Sequence, residues 1–358
     1  GKTMETMKGV VVTAPGQVCI RDDIPKPVCG DYEALVHVKY CGFCNGTDLH
    51  IIDGTMTKEA GLGEYPTVLG HESSGVVVEV GKKVRNIKIG DHYVHINLYP
   101  EVGGGYTRTY GGMADYGLVA DYEAMREDGI PEEEFPFLNP QLPHYGKFGK
   151  IPEDIDLEGA GALLSMSECL SAAKNVGVDE TKKVLIYGAG PMGLGVALYC
   201  KALGAKKVVV GDLQPSRLEL AKKIAKVDQV VDLSKTTMKE ALNGELFDIV
   251  MDIVGLTSIL LEGSQFLLPF GRVCSMGVLR SNDLQMNIQA LKNNTMLQML
   301  NLPYQEYKAM DENVELIRAG KISMKDFYSH VVDRENIQEA IDLVRRKEAL
   351  KVIIKVND

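Results

Sequence analysis

The sequence has 358 residues, 45% of them apolar and 25% charged, and a net charge of −10. That length exceeds what a single hydrophobic core usually organises, so two domains are expected, and the negative balance argues against nucleic acid or an anionic membrane as partner. No apolar run reaches the roughly 18 residues of a membrane span, no secretory leader is visible, and seven scattered cysteines suit reduced thiols in a cytoplasmic protein.

The first 120 residues read as short strands and turns without βαβ alternation. Residues 7–13 and 17–21 form a hairpin around Pro15 and Gly16. Residues 34–40 (ALVHVKY) alternate as a strand and run directly into CGFCNGTDLH at 41–50. Gly70, His71 and Glu72 precede a β run at 74–80, and 92–96 is another strand. Residues 103–112, with glycines at both ends, are expected to be a flexible polar loop, and 113–120 resumes strand character. Residues 121–150 carry Pro131, Pro136, Pro140 and Pro143, have no period, and read as a long loop or lobe.

From Leu157 the apolar spacing becomes helical, and from Lys182 strands and helices alternate, as in a doubly wound parallel sheet. Strands are expected at 184–187, 207–210, 229–233, 247–252, 271–276 and 294–300, with helices at 217–224, 238–242 and 259–268 between them. The tail reads as a helix at 304–319, a strand at 327–332, a helix at 336–346 and a strand at 351–356. That last strand has no βα partner after it and is expected to return to the N-terminal β region.

Between the first two strands of the alternating part lies Gly188-Ala-Gly190-Pro191-Met192-Gly193, a G-x-G-x-x-G followed by a helical pattern. The first glycine permits a tight turn, the second lets backbone approach a pyrophosphate, and the third lets helix lie close on strand. Phosphates would sit on the N–H groups of the helix N-terminus. Asp212 closes the next strand, where a carboxylate accepts ribose hydroxyls and repels a 2′-phosphate, so NAD is expected over NADP. Arg217, five residues on, would soften that preference.

Two clusters in the first 80 residues have the chemistry of a metal site. Cys44, Thr47, Asp48 and His50 form one, and His71 with Glu72 the other. Zinc takes thiolate, imidazole and carboxylate ligands, and a catalytic site uses three of them and keeps one position open. Glu168, a carboxylate among Leu164, Met166 and Leu170, is the candidate third ligand. Each member also has a plainer reading: a redox pair of Cys41 and Cys44, a core histidine, a solvated glutamate.

Taken together, GFCNGTDLH, the Gly70–Glu72 triplet, Glu168, GAGPMG and Asp212 resemble the zinc-dependent medium-chain dehydrogenase/reductase family, especially its polyol and sugar dehydrogenases. The resemblance implies an α/β protein: a GroES-like distorted β-barrel catalytic domain (1–157), a Rossmann NAD-binding domain (158–298), and a C-terminal segment (299–358) returning to the first. It implies one catalytic zinc per subunit held by Cys44, His71 and Glu168, with Glu72 as alternative ligand or neighbour. Thr47 and His50 would relay the proton while a secondary alcohol is oxidised to a ketone and NAD is reduced. A homo-dimer or homo-tetramer is implied as well. Zinc-free reduction of enones or quinones, or nucleotide sensing without catalysis, are the alternatives.

Two features depart from the family pattern. One extra residue separates Cys44 from Thr47, so either the backbone bulges or Asp48 substitutes as ligand. The cysteine-rich lobe that holds a structural zinc in many relatives is missing, since 91–123 contains no cysteine. Residues 103–112 and 121–150 would replace it.

Overall fold

The computed structural model describes residues 4–43, 46–55, 64–99, 101–135, 149–301, 305–346 and 350–358. The chain divides into two compact units, Gly1–Leu163 with Phe327–Asp358, and Leu164–Asp326. The segment 299–326 therefore stays with the second unit, and only the chain from Phe327 onward lies in the first.

The first unit opens with the expected hairpin, β1 (Thr6–Ala14) against β2 (Gln17–Pro25). Next come β3 (Glu33–Phe43), α1 (Thr47–Asp53), β4 (Thr67–Val68), β5 (Glu72–Val80) and β6 (His92–Val94). Residues 103–112, expected to be a flexible loop, instead contribute to a hairpin of β7 (Glu101–Gly103) and β8 (Tyr106–Arg108). This hairpin joins the first sheet because β8 runs parallel to β4, where Thr67 and Thr109 share a buried hydroxyl contact of 2.7 Å. After β9 (Tyr116–Ala120), the expected loop begins as a helix, α2 (Tyr122–Glu127). Asp121 starts that helix by accepting a hydrogen bond from Ala124 N at 3.0 Å, a side-chain N-cap. Residues 136–148 of that segment lie outside the described residues, and β10 (Lys150–Ile151) and α3 (Leu157–Ala160) complete this part.

In the second unit α4 (Leu163–Asn175) leads to alternating strands and helices. These are β11 (Lys183–Tyr187), α5 (Pro191–Ala202), β12 (Lys207–Asp212), α6 (Pro215–Lys223), β13 (Gln229–Asp232), α7 (Met238–Leu242) and β14 (Phe247–Asp252). Next are α8 (Thr257–Ser264), β15 (Leu267–Ser275), β16 (Met296–Met299) and α9 (Glu306–Arg318). Every pairing is parallel, in the order β13-β12-β11-β14-β15-β16, which is the expected doubly wound sheet. Leu185, Val209, Val250 and Val273 fill its core, so apolar runs without alternation suit strands covered on both faces. One boundary differs from expectation. The apolar run at 259–268 suggests a single helix, yet the helix ends at Ser264 and Leu267 pairs with Phe247 as the start of β15.

The chain then re-enters the first unit through β17 (His330–Asp333), α10 (Ile337–Arg345) and β18 (Val352–Lys355). As expected, the last strand returns to the N-terminal region: β18 lies antiparallel to β3, with Val352 opposite Phe43. The second sheet of this unit is β10-β6-β5-β3-β18-β17, with β9 also on β3. Val36, Ile52, Leu69, Ile341 and Ile354 belong to one core, so the terminal strand and helix complete the hydrophobic interior of the first unit.

Candidate active site and nucleotide cleft

In the first unit, β3 ends with Cys41, Gly42 and Phe43, α1 begins with Thr47, Asp48, Leu49 and His50, and His71 directly precedes β5, whose first residue is Glu72. Cys44 and Asn45, part of the stretch that carries the extra residue, lie outside the described residues. Gly46 precedes α1, and its carbonyl accepts from His50 N at 3.2 Å. Thr47 is the first helical residue and is partly buried, whereas Asp48 is fully buried. His50 is exposed, with Nδ1 2.7 Å from the Thr55 hydroxyl.

Asp48 and His71 meet: Oδ1 lies 3.6 Å from Nδ1. The turn into His71 depends on Gly70, whose φ of +113° and close packing leave no room for a side chain. A Cβ there would stand 2.6 Å from Met113 N. The buried His95 ring donates from Nδ1 to the His71 carbonyl at 3.1 Å, and burial pushes its pKa down to about 4. The Tyr110 ring stands 5.2 Å from the His71 ring. Glu72 is buried, and its Oε2 is 2.6 Å from Lys351 Nζ on the approach to β18. Cys41 is buried too, and desolvation pushes its thiol well above the usual range.

The donors present here are those zinc prefers, an imidazole with a buried carboxylate behind it. Among the described residues no group of three or more His, Cys, Asp or Glu side chains is drawn together, and Cys44 lies outside that set. Glu168 is partly buried on α4, between the buried Met166 and Leu170, in the second unit. Glu72 is held by an ammonium group, an arrangement that suits a neighbour better than a ligand. No local pattern in the sequence points to His95 or Lys351, because the spacing of 279 residues between Lys351 and Glu72 carries no signal.

In the second unit the glycine motif has the expected context. Gly188 follows β11, Gly190 is the backbone N-cap of α5, and Pro191 and Met192 are its first residues. Gly193 is obligatory: a Cβ there would come within 1.9 Å of the Gly188 carbonyl, so the helix could not lie on the turn. Asp212 ends β12 and is tied into the same turn. Its Oδ2 accepts from Ala189 N at 2.7 Å and its Oδ1 from Gln214 N at 2.8 Å. The Arg217 guanidinium hangs over the turn, 3.7 Å from where a Gly190 Cβ would be. A cavity of about 420 Å³ opens beside Gly188, Asp212, Gln214 and Arg217. A glycine cradle, N–H groups at a helix start and an acidic strand end fit a dinucleotide.

Comparison with known proteins agrees with this geometry. Residues 30–131 match the model of the alcohol dehydrogenase GroES-like domain, and residues 191–315 match that of the zinc-binding dehydrogenase domain. D-xylulose reductase A from Aspergillus oryzae is 28% identical over 364 residues, covering 93% of this chain and 92% of the relative. Among solved structures, an alcohol dehydrogenase from Escherichia coli CFT073 in complex with NADH superposes with a TM-score of 0.76 at 24% identity, covering 98% and 99% of the two chains. The 2R,3R-butanediol dehydrogenase of Bacillus subtilis gives a TM-score of 0.76 at 21% identity, covering 98% and 100%.

Proposed function

We infer the activity from one premise: the chain belongs to the zinc-type medium-chain alcohol dehydrogenases, with the GroES-like and zinc-binding dehydrogenase domains in that order. It is an NAD-linked oxidoreductase that interconverts a secondary alcohol of a polyol, sugar or cyclitol and the corresponding ketone. The observation that carries this reading is the glycine turn closed by Asp212 at the mouth of a cavity of about 420 Å³. The xylulose reductases among its relatives support a polyhydroxy substrate.

Zinc, when bound, supplies a Lewis acid for the alcohol oxygen, and NAD supplies the two-electron acceptor. Cys44 and His71 would be the first two ligands, with Glu168 as the carboxylate and Glu72, which faces Lys351, as its alternative or neighbour. Asp48 Oδ1 stands 3.6 Å from Nδ1 of His71, so Nε2 is the ring nitrogen that would be available to a metal. Thr47 takes the alcohol proton, since its hydroxyl both accepts and donates, and the exposed His50 passes the proton to water. Asp212 receives the ribose hydroxyls, and the N–H groups at the start of α5 receive the pyrophosphate.

A homo-oligomer belongs to the same reading. The edge strand β16 exposes Met296, Leu297 and Met299 and, among the described residues, pairs on one side only. A second copy would cover that edge. Six cysteines among the described residues form no disulfide, which supports a reducing, cytoplasmic location, and no helix among the described residues is long and apolar enough to cross a membrane.

The test is NADH formation across a panel of pentitols, hexitols, cyclitols and simple diols, with metal analysis of the same sample. One zinc per subunit is expected, with turnover of at least one secondary alcohol that chelation removes and added zinc restores. Binding of NADH without turnover of any alcohol or ketone, in zinc-loaded protein, would rule the activity out.

A further inference from the structure

The cavity beside the glycine turn extends past Asp212 into a part with a different character. Leu233, Met238, Leu256 and Ile259 line it with apolar surface, which suits a flat ring rather than a sugar. Among this apolar lining sits one carboxylate, Glu262, in the last turn of α8. It is held from below by Tyr187, the last residue of β11, whose hydroxyl donates to Oε2 at 2.6 Å. Burial and that hydrogen bond keep the Tyr187 phenol protonated far above its usual range, so it remains a donor at every physiological pH.

The two threonine hydroxyls of the lining are already engaged. The Thr237 hydroxyl caps α7 by accepting from Glu240 N at 3.2 Å, and the Thr236 hydroxyl lies 3.3 Å from Glu240 Oε2. A carboxylate has about four acceptor positions. Among the described residues, Tyr187 is the donor that fills one for Glu262. The group is exposed on its cavity side and is fixed in place by a buried ring.

We propose that Glu262, positioned by Tyr187, reads the exocyclic amine of the nucleotide's base and so makes the enzyme selective for adenine dinucleotides. Adenine presents N–H donors at its six-position, which a carboxylate accepts. Hypoxanthine presents a carbonyl oxygen there, which a carboxylate repels. Selection by a charge-assisted hydrogen bond adds a polar criterion to apolar stacking, which every purine satisfies.

This inference rests on the dinucleotide reading of the cleft, and the test separates the two. NADH and its hypoxanthine analogue are titrated into the full-length protein, following nicotinamide fluorescence. Wild type is expected to bind NADH about tenfold tighter than the analogue, the size of one hydrogen bond to a charged group. In Glu262→Gln the ratio falls towards one, because a carboxamide can accept from the amine or donate to the carbonyl. In Tyr187→Phe, which frees Glu262 from its anchor, the ratio falls part of the way. Competition of AMP and IMP against NADH on wild type supplies the same comparison without any variant. A wild-type ratio near one, or a tenfold ratio that survives in Glu262→Gln, overturns the assignment while leaving the cleft a nucleotide site. Failure of NADH to bind at all overturns the dinucleotide reading and this one with it.

Discussion

Lys351 holds Glu72 across 279 residues of sequence, with Nζ 2.6 Å from Oε2 and both side chains largely buried. The contact exists because β3 pairs with β5 along one edge, Gly42 opposite Glu72, and with β18 along the other. The C-terminal strand thus brings a cation to the carboxylate beside His71. Removing one partner of a buried pair leaves a desolvated charge, at a cost of about 3–5 kcal/mol. Lys351→Met should lower the unfolding midpoint accordingly, Lys351→Arg should not, and adding Glu72→Gln to Lys351→Met should recover most of the loss. Equal stability of Lys351→Met and wild type in denaturant melts would show that the pair contributes nothing net.

Asp212 has two tasks, and variants can separate them. It ties Ala189 and Gln214 into the turn, and it lines the cavity where the proposed function has it receive the ribose hydroxyls. Asp212→Ala should weaken NADH binding and relax the discrimination against NADPH, while Arg217→Ala should weaken whatever NADPH binding remains. Fluorescence titration with both cofactors measures this. A wild-type protein that prefers NADPH would invert the role given to Asp212.

The ligand, neighbour and relay roles around α1 predict three different outcomes. Cys44→Ser should lose zinc, since a hydroxyl is a much poorer ligand than a thiolate. Cys41→Ser should keep it, because Cys41 is a buried packing thiol that desolvation holds protonated. Thr47→Val should retain zinc and lose turnover roughly 10²–10⁴-fold. Zinc analysis and steady-state rates on the three proteins decide the matter. Release of the metal from Cys41→Ser but not from Cys44→Ser would shift the register of the loop.

Charge placed on the exposed edge of β16 should break the proposed subunit contact. Leu297→Lys and Met299→Lys substitute side chains that already face solvent in the single chain, so folding should be unaffected. Light scattering coupled to size exclusion should report a smaller particle with an unchanged thermal midpoint. An unaltered mass would place the contact elsewhere.

Much of this fold is a local matter and is legible in the sequence. The hairpin at Pro15 and Gly16, the parallel βα alternation after Lys182, and the turn at Gly188–Gly193 follow from side-chain periods of 2 and 3.6 and from glycine's freedom. Even the return of the last strand is visible, because 351–356 has no βα partner after it. Where periods are ambiguous, pairing decided. Leu267 became strand because Phe247 stood opposite, and 103–112 contributed to a hairpin because β4 offered a parallel edge. The site contacts were decided by tertiary structure alone. Asp48 against His71, Lys351 against Glu72 and Tyr187 beneath Glu262 are each set by strand register and by which buried polar group needs a partner. Residues 23 to 279 positions apart have no shared period to betray them, and only the packed sheets bring them within hydrogen-bond or ion-pair reach.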